Sequence, residues 1–178
     1  MAHYLFETTW VLTAPQEEVF EVLVHPEDYS TWWPSVETSS LVDKGDSAGV
    51  GTRATYVIRS PFFYRMRFEL RALEVDRPHR LHAVARGDLV GTATYVLETH
   101  AEETHVRFNW YVSTTKTWMN RVAVVAKPVL AWAHGHVMRE GCRAMAQLMG
   151  ARLISVDTRL AERPTAIATV RPQEQSYD

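Results

Sequence analysis

The sequence predicts an α+β domain in which a seven-stranded curved antiparallel sheet wraps a long C-terminal helix, with two short helices after the first strand. Three observations predict it. Between residues 35 and 115, apolar and polar side chains alternate with period two in runs separated by short turns. After residue 118 the period lengthens toward that of a helix and stays there to 153. The composition is that of one globular core: 178 residues, 46% hydrophobic and 22% charged, which can bury a core without covalent staples.

The elements follow in order. Residues 4–13 carry Tyr4, Phe6, Trp10 and Leu12 on one parity and read as the first strand. Pro15 opens a helix whose first turn holds Gln16 with Glu17 and Glu18, the two acids placed where the helix dipole favours them. Val19, Phe20, Val22 and Leu23 form its buried side, and His25-Pro26 stops it, because the residue before proline avoids the helical region. A second short helix covers Pro26 to Trp33. Strands follow at about 35–43, 50–59, 62–76, 79–86, 89–99 and 103–114, joined by turns short enough to require an antiparallel meander. Tyr64, Met66, Phe68 and Leu70 share one face, opposite Arg65, Arg67, Glu69 and Arg71; Val106, Phe108, Trp110 and Val112 repeat the pattern. A sheet apolar on one side only is covered on one side only. The helix from 118 to 153 contains Pro128, either as a kink or as a boundary between two pieces. Its later half gathers Cys142, Met145, Ala146, Leu148 and Met149 on one side. The domain is read as residues 1–153, and 154–178 as a partly disordered extension.

Composition excludes several classes of function. With 19 basic and 21 acidic residues the net charge is −2, which disfavours nucleic-acid binding. Arg53, Arg59, Arg65, Arg67 and Arg71 lie on neighbouring strands and read as a solvated outer face. The one cysteine, Cys142, allows no internal disulfide and no thiolate metal cluster, and suits a reducing cytoplasm. The first residues lack the pattern of a secretory leader, and Val122 to Ala133, the most apolar stretch, is too short and too interrupted to span a membrane. No metal or cofactor is expected: there is no HExxH helix, phosphate loop, dinucleotide fingerprint or GxSxG elbow.

One stretch carries a resemblance. The first strand with Trp10, then Ala14-Pro15-Gln16-Glu17-Glu18-Val19-Phe20, then His25-Pro26-Glu27-Asp28-Tyr29-Ser30-Thr31-Trp32-Trp33-Pro34, resembles the polyketide cyclase/dehydrase family of the START-like (SRPBCC) superfamily. The resemblance covers roughly residues 4–153 and implies a helix-grip fold. It does not choose an activity, since such folds include aromatase/cyclases, lipid carriers and hormone receptors.

The surplus of aromatic side chains on the inner parity points to an apolar pocket between sheet and helix. The residues expected to face it are Trp33, Tyr56, Tyr64, Met66, Phe68, Tyr95, Phe108, Trp110, Trp118, Trp132 and His136. The same side chains would also fill a solid core. His134 and His136 lie about 200° apart on a helix, so they cannot share a metal, and His136, one turn from Trp132, is read as the inward one. Three functions stay open: binding of a hydrophobic, aromatic or polyketide-like molecule; aromatase/cyclase or dehydratase chemistry using His136, Tyr64 or Tyr95 as proton carriers; and a homodimer packed through Val122–Val129 around a filled core.

Overall fold

A computed structural model of the chain describes residues 3–62, 64–115 and 117–161, with side chains throughout except at 117–127. β1 (His3–Leu12) is followed by α1 (Gln16–Val24), a single 3-10 turn (Pro26–Asp28) and α2 (Tyr29–Trp32). Six strands come next: β2 (Val36–Asp43), β3 (Arg53–Arg59), β4 (Arg65–Asp76), β5 (Arg80–Gly87), β6 (Leu89–His100) and β7 (Glu103–Thr114). α3 (Thr117–Leu148) and β8 (Leu153–Ala161) complete the described chain. The strands form one antiparallel sheet in the order β2-β3-β4-β5-β6-β7-β1-β8.

Alternation does what the sequence requires of it. In β7, Val106, Phe108, Trp110 and Val112 are buried, while Arg107 between them is exposed. Met66 and Leu70 in β4 are only half-buried, because they face an internal space rather than a solid core. On the opposite face Arg59, Arg65, Arg67 and Arg71 are exposed. Arg65 donates to Glu37 at 2.6 Å, and this hydrogen bond holds the Glu37 carboxyl below the usual carboxylate range. The arginines therefore form a solvated outer face, as expected. β3 starts three residues later than the alternation suggests, since Asp46 accepts backbone bonds from Ala48 and Val50 (2.9 Å each) and holds Val50 in the turn.

α1 starts after Pro15, carries Glu17 and Glu18 in its first turn and buries Val19, Phe20 and Leu23. Its first residue anchors it. The Gln16 amide nitrogen lies 3.0 Å from the Pro78 carbonyl, 2.9 Å from His79 Nδ1 and 3.2 Å from the Leu97 carbonyl, and its oxygen accepts from Thr99 at 2.7 Å. One buried amide thus ties α1 to the β4–β5 turn and to β6.

Two expectations at the C-terminal end are corrected. The sheet has eight strands, not seven: β8 pairs with β1 from Leu5↔Ala161 to Leu12↔Leu153. The ordered sheet therefore continues past residue 153, through part of the segment read as an extension, while residues 162–178 lie outside the described residues. α3 stops at Leu148, short of 153, because Gly150 takes φ +63. Ala151 N–H then bonds the Ala146 carbonyl at 2.8 Å and Gly150 N–H the Gln147 carbonyl at 3.1 Å. This is a Schellman cap, which glycine enters without a Cβ penalty. At the other end Pro128 lies inside one helix rather than between two. Among the described residues no helix is long and apolar enough to cross a membrane.

Candidate functional site

Small side chains on the concave face leave room that α3 does not fill. Ala54, Ala72, Ala83 and Ala93 are buried on β3, β4, β5 and β6, and all four line a cavity of about 200 Å³ under the helix. Aromatic rings make the rest of the sheet-side wall. Tyr56 stacks on Phe68 (5.5 Å between centroids) and Tyr95 on Phe108 (4.4 Å), each pair sitting at directly opposed positions of neighbouring strands. Trp110 lies 5.8 Å from both Phe68 and Phe108 and joins the two pairs into a continuous belt. α3 closes the space with Leu130, Ala133, His134, Val137 and Met138, and β1 adds Tyr4 and Phe6.

The α2 side of the cavity is a fixed joint. The Trp33 indole lies flat on α3 at Gly141, where a Cβ would come 2.3 Å from the ring. Its N–H donates to the Val137 carbonyl at 3.0 Å. Tyr29, 5.8 Å from Trp33 ring to ring, donates its hydroxyl to the Leu23 carbonyl at 2.7 Å, satisfying an orphan acceptor in the last turn of α1. Ser35 donates to Glu140 at 2.5 Å. Every polar atom named here has a protein partner.

The β1 side differs. Tyr4 Oη and His134 Nε2 are buried and lack a hydrogen-bond partner among the described residues. His134 stacks on Phe6 at 4.3 Å, and Phe6 stacks on Tyr4 at 5.8 Å. Burial pushes the His134 pKa down to about 3, so the ring is uncharged near neutrality. Burial also raises the phenols of Tyr4, Tyr56 and Tyr95 above their ordinary value; for Tyr4 the neighbouring Tyr64 adds to it. Tyr64, Thr52, Ser60 and Thr114 are further polar groups in the wall, and Arg77 stands at the far end, ion-paired with Glu21. Among the described residues no carboxylate lines the cavity and no three side chains group to hold a metal. The described wall therefore presents phenols, hydroxyls, one neutral imidazole and, at the far end, the Arg77 guanidinium.

Eight residues expected to face the pocket line it: Trp33, Tyr56, Tyr64, Met66, Phe68, Tyr95, Phe108 and Trp110. The Trp118 side chain lies outside the described residues, as do those of Val122 to Lys127 in the expected dimer surface; the last two residues of that surface, Pro128 and Val129, are exposed. Two expectations are overturned. Trp132 is half exposed and packs outside the cavity, against Phe62 at 5.5 Å and His136 at 5.6 Å. His136 is on this outer side too, 3.3 Å from Glu140, so it is no proton carrier for the cavity. Its neighbour His134 takes the inward place. The two do point apart, but the phase of α3 is set by Trp33 docking at Gly141, not by Trp132. A signal was available: the stripe through Cys142, stepped back by fours, passes through Met138 and His134. Cys142 is buried, and burial raises its thiol pKa, so it serves as a small core side chain.

The family described as polyketide cyclase / dehydrase and lipid transport matches residues 4–150. Several solved structures share the fold. The Zhui aromatase/cyclase from Streptomyces sp. R1128 superposes with a TM-score of 0.67 at 15% identity, over 84% of this chain and 94% of that one. A START superfamily protein from Mycobacterium smegmatis gives 0.66 at 11% identity, over 83% and 97%. Ginseng major latex-like protein 151 from Panax ginseng gives 0.64 at 10% identity, over 83% and 97%. At these identities the likeness concerns the fold. No curated protein matches the sequence. The chain belongs to the polyketide cyclase/dehydrase and lipid transport family, and its architecture is the helix-grip fold of the START superfamily.

Proposed function

We propose that this protein binds an uncharged, largely apolar small molecule of aromatic or polyketide-like shape in the cavity under α3. The observation that carries this reading is the cavity itself: about 200 Å³ lined by a ring belt and a floor of alanines, with no carboxylate in its described wall. A buried apolar void of roughly 150 Å³ suffices to bind benzene, so a fused two-ring compound is a reasonable scale. Burial of apolar ligand surface at about 25 cal/mol per Å² supplies the affinity before ordering costs are subtracted. The lone buried cysteine suits a cytoplasmic carrier or binding protein.

Native mass spectrometry of the purified protein, with extraction of any bound compound and calorimetric titration of naphthalene, tests the reading. A co-purifying apolar compound or saturable uptake of naphthalene is expected, and Ala93→Leu, which fills the floor, should abolish either while leaving the far-ultraviolet spectrum intact. An empty protein that takes up no naphthalene overturns it.

A second reading, an aromatase/cyclase or dehydratase, is favoured by the fold shared with the Zhui aromatase/cyclase. It needs a proton carrier at a bound carbonyl. Tyr64 and Tyr95 line the cavity and are the residues to change; conversion of a polyketide-like substrate that survives Tyr64→Phe and Tyr95→Phe would remove them from the mechanism.

A further inference from the structure

We infer that the occupant of the cavity is an uncharged aromatic compound bearing a hydroxyl group, and that His134 and Tyr4 read this group by hydrogen bonding. The inference rests on the binding function proposed above and adds what the ligand must carry and which end of the cavity receives it.

Polar atoms left unpaired in a buried site are uncommon, and each calls for an account. Four buried side-chain atoms are in this position among the described residues: Tyr4 Oη, His134 Nε2, and the indole nitrogens of Trp10 and Trp32. The two indoles do not line the cavity, whereas Tyr4 and His134 both do, from β1 and α3 respectively. Phe6 lies against both rings, at 5.8 and 4.3 Å, so the two groups belong to one end of the site. Apart from Tyr64, which stands beside Tyr4, the rings at this end are apolar, and Tyr4 Oη and His134 Nε2 are the unpartnered polar atoms a guest would meet there.

The chemistry of the pair selects the guest. The imidazole is neutral and stays so near pH 7, so Nε2 accepts in one tautomer and donates in the other. The Tyr4 phenol is protonated, and burial keeps it so. Neither group carries charge to offset a carboxylate or an ammonium, whose desolvation would go uncompensated. A hydroxyl both donates and accepts, which matches an acceptor nitrogen beside a phenol. The Tyr4 hydroxyl hydrogen turns about its own C–O bond and the His134 imidazole takes either tautomer, so both groups can suit an oxygen that enters beside Phe6.

Three probes on one naphthalene skeleton test this in the full-length protein: naphthalene, 2-naphthol and 2-naphthoate, by calorimetry at pH 7. A hydrogen bond gained at net stabilisation near 1 kcal/mol corresponds to about 5-fold tighter binding, so 2-naphthol should bind roughly 5- to 10-fold tighter than naphthalene, and 2-naphthoate should bind worst. In His134→Phe, which keeps a ring against Phe6, the ratio of 2-naphthol to naphthalene affinity should shrink toward one, whatever the change in naphthalene binding itself. Tyr4→Phe should reduce the preference in part. The ¹⁵N shift of His134 Nε2 should move on adding 2-naphthol and not on adding naphthalene, a readout that does not depend on a variant folding well. Equal binding of naphthalene and 2-naphthol by the wild type overturns this inference and leaves the cavity function standing. So does a preference that survives both substitutions, or tight uptake of 2-naphthoate. If none of the three binds, the cavity function falls, and this inference with it.

Discussion

The cavity has two polar margins, and they are built on opposite terms. At the α2–α3 joint, Trp33, Tyr29 and Ser35 all find protein partners, and Gly141 lets the indole touch the helix backbone. At the β1–α3 margin, Tyr4 Oη and His134 Nε2 find none among the described residues. Both margins are built mainly of aromatic side chains that carry polar atoms, so composition does not separate them. Partnering does. A satisfied buried polar group fixes one arrangement of the chain, while an unsatisfied one lowers stability.

The largest expected effect lies at the joint. Gly141→Ala places a Cβ 2.3 Å from the Trp33 ring, with helix backbone on one side and the indole on the other. Overpacking of this kind costs about 2–3 kcal/mol, which lowers the melting temperature by roughly 5–10 °C for a chain of this size. Thermal denaturation by circular dichroism measures it; an unchanged melting temperature would show that the joint is not rigid. Gln16→Leu strips partners from the Pro78 and Leu97 carbonyls and the Thr99 hydroxyl. We expect a loss of about 2 kcal/mol in urea unfolding.

At the other margin the sign reverses. His134 holds its proton less tightly in the folded chain (about 3) than at its ordinary value of 6.5. Between these limits the unfolded chain takes up a proton that the folded chain refuses. Stability is therefore fully present above about pH 7 and is lost as pH falls through 6.5 toward 3. His134→Phe removes this dependence, so the variant should outlast the wild type by on the order of 2 kcal/mol near pH 4, with a smaller gain at pH 7. Urea titrations of both proteins at the two pH values check it, and a parallel pH dependence would mean that His134 is hydrated or paired in solution.

The smallest effect gives the cleanest contrast, since the same substitution is made twice. Tyr29→Phe leaves the Leu23 carbonyl bare and should cost about 1 kcal/mol. Tyr4→Phe removes an atom that has no partner among the described residues and should cost less than about 0.5 kcal/mol or add stability. Equal losses at the two positions would erase the distinction between the margins.

Much of the fold was legible because its signals are local. The parity of Tyr64 to Leu70 and of Val106 to Val112 marks the concave face, and Pro15 and Pro26 bound α1 whatever it packs against. β8 was hidden for the same reason: its alternation is half exposed at a sheet edge, and residues 149–153 continue the helical pattern until Gly150 ends it through a positive φ. The inner histidine was misassigned because two residues of one type sit two apart, and the nearest large neighbour, Trp132, faces out.

By itself the sequence determined the order of elements, the apolar face of the sheet and most of the rings in the cavity wall, since period and chain breaks depend on near neighbours along the chain. Only the tertiary structure decided the rotation of α3, the eighth strand and the empty space over the alanines. Those depend on contacts between residues about a hundred or more positions apart, such as Trp33 on Gly141 and Phe6 beside Leu160. The stripe back from Cys142 marks His134 as the candidate, but only such a contact turns it inward.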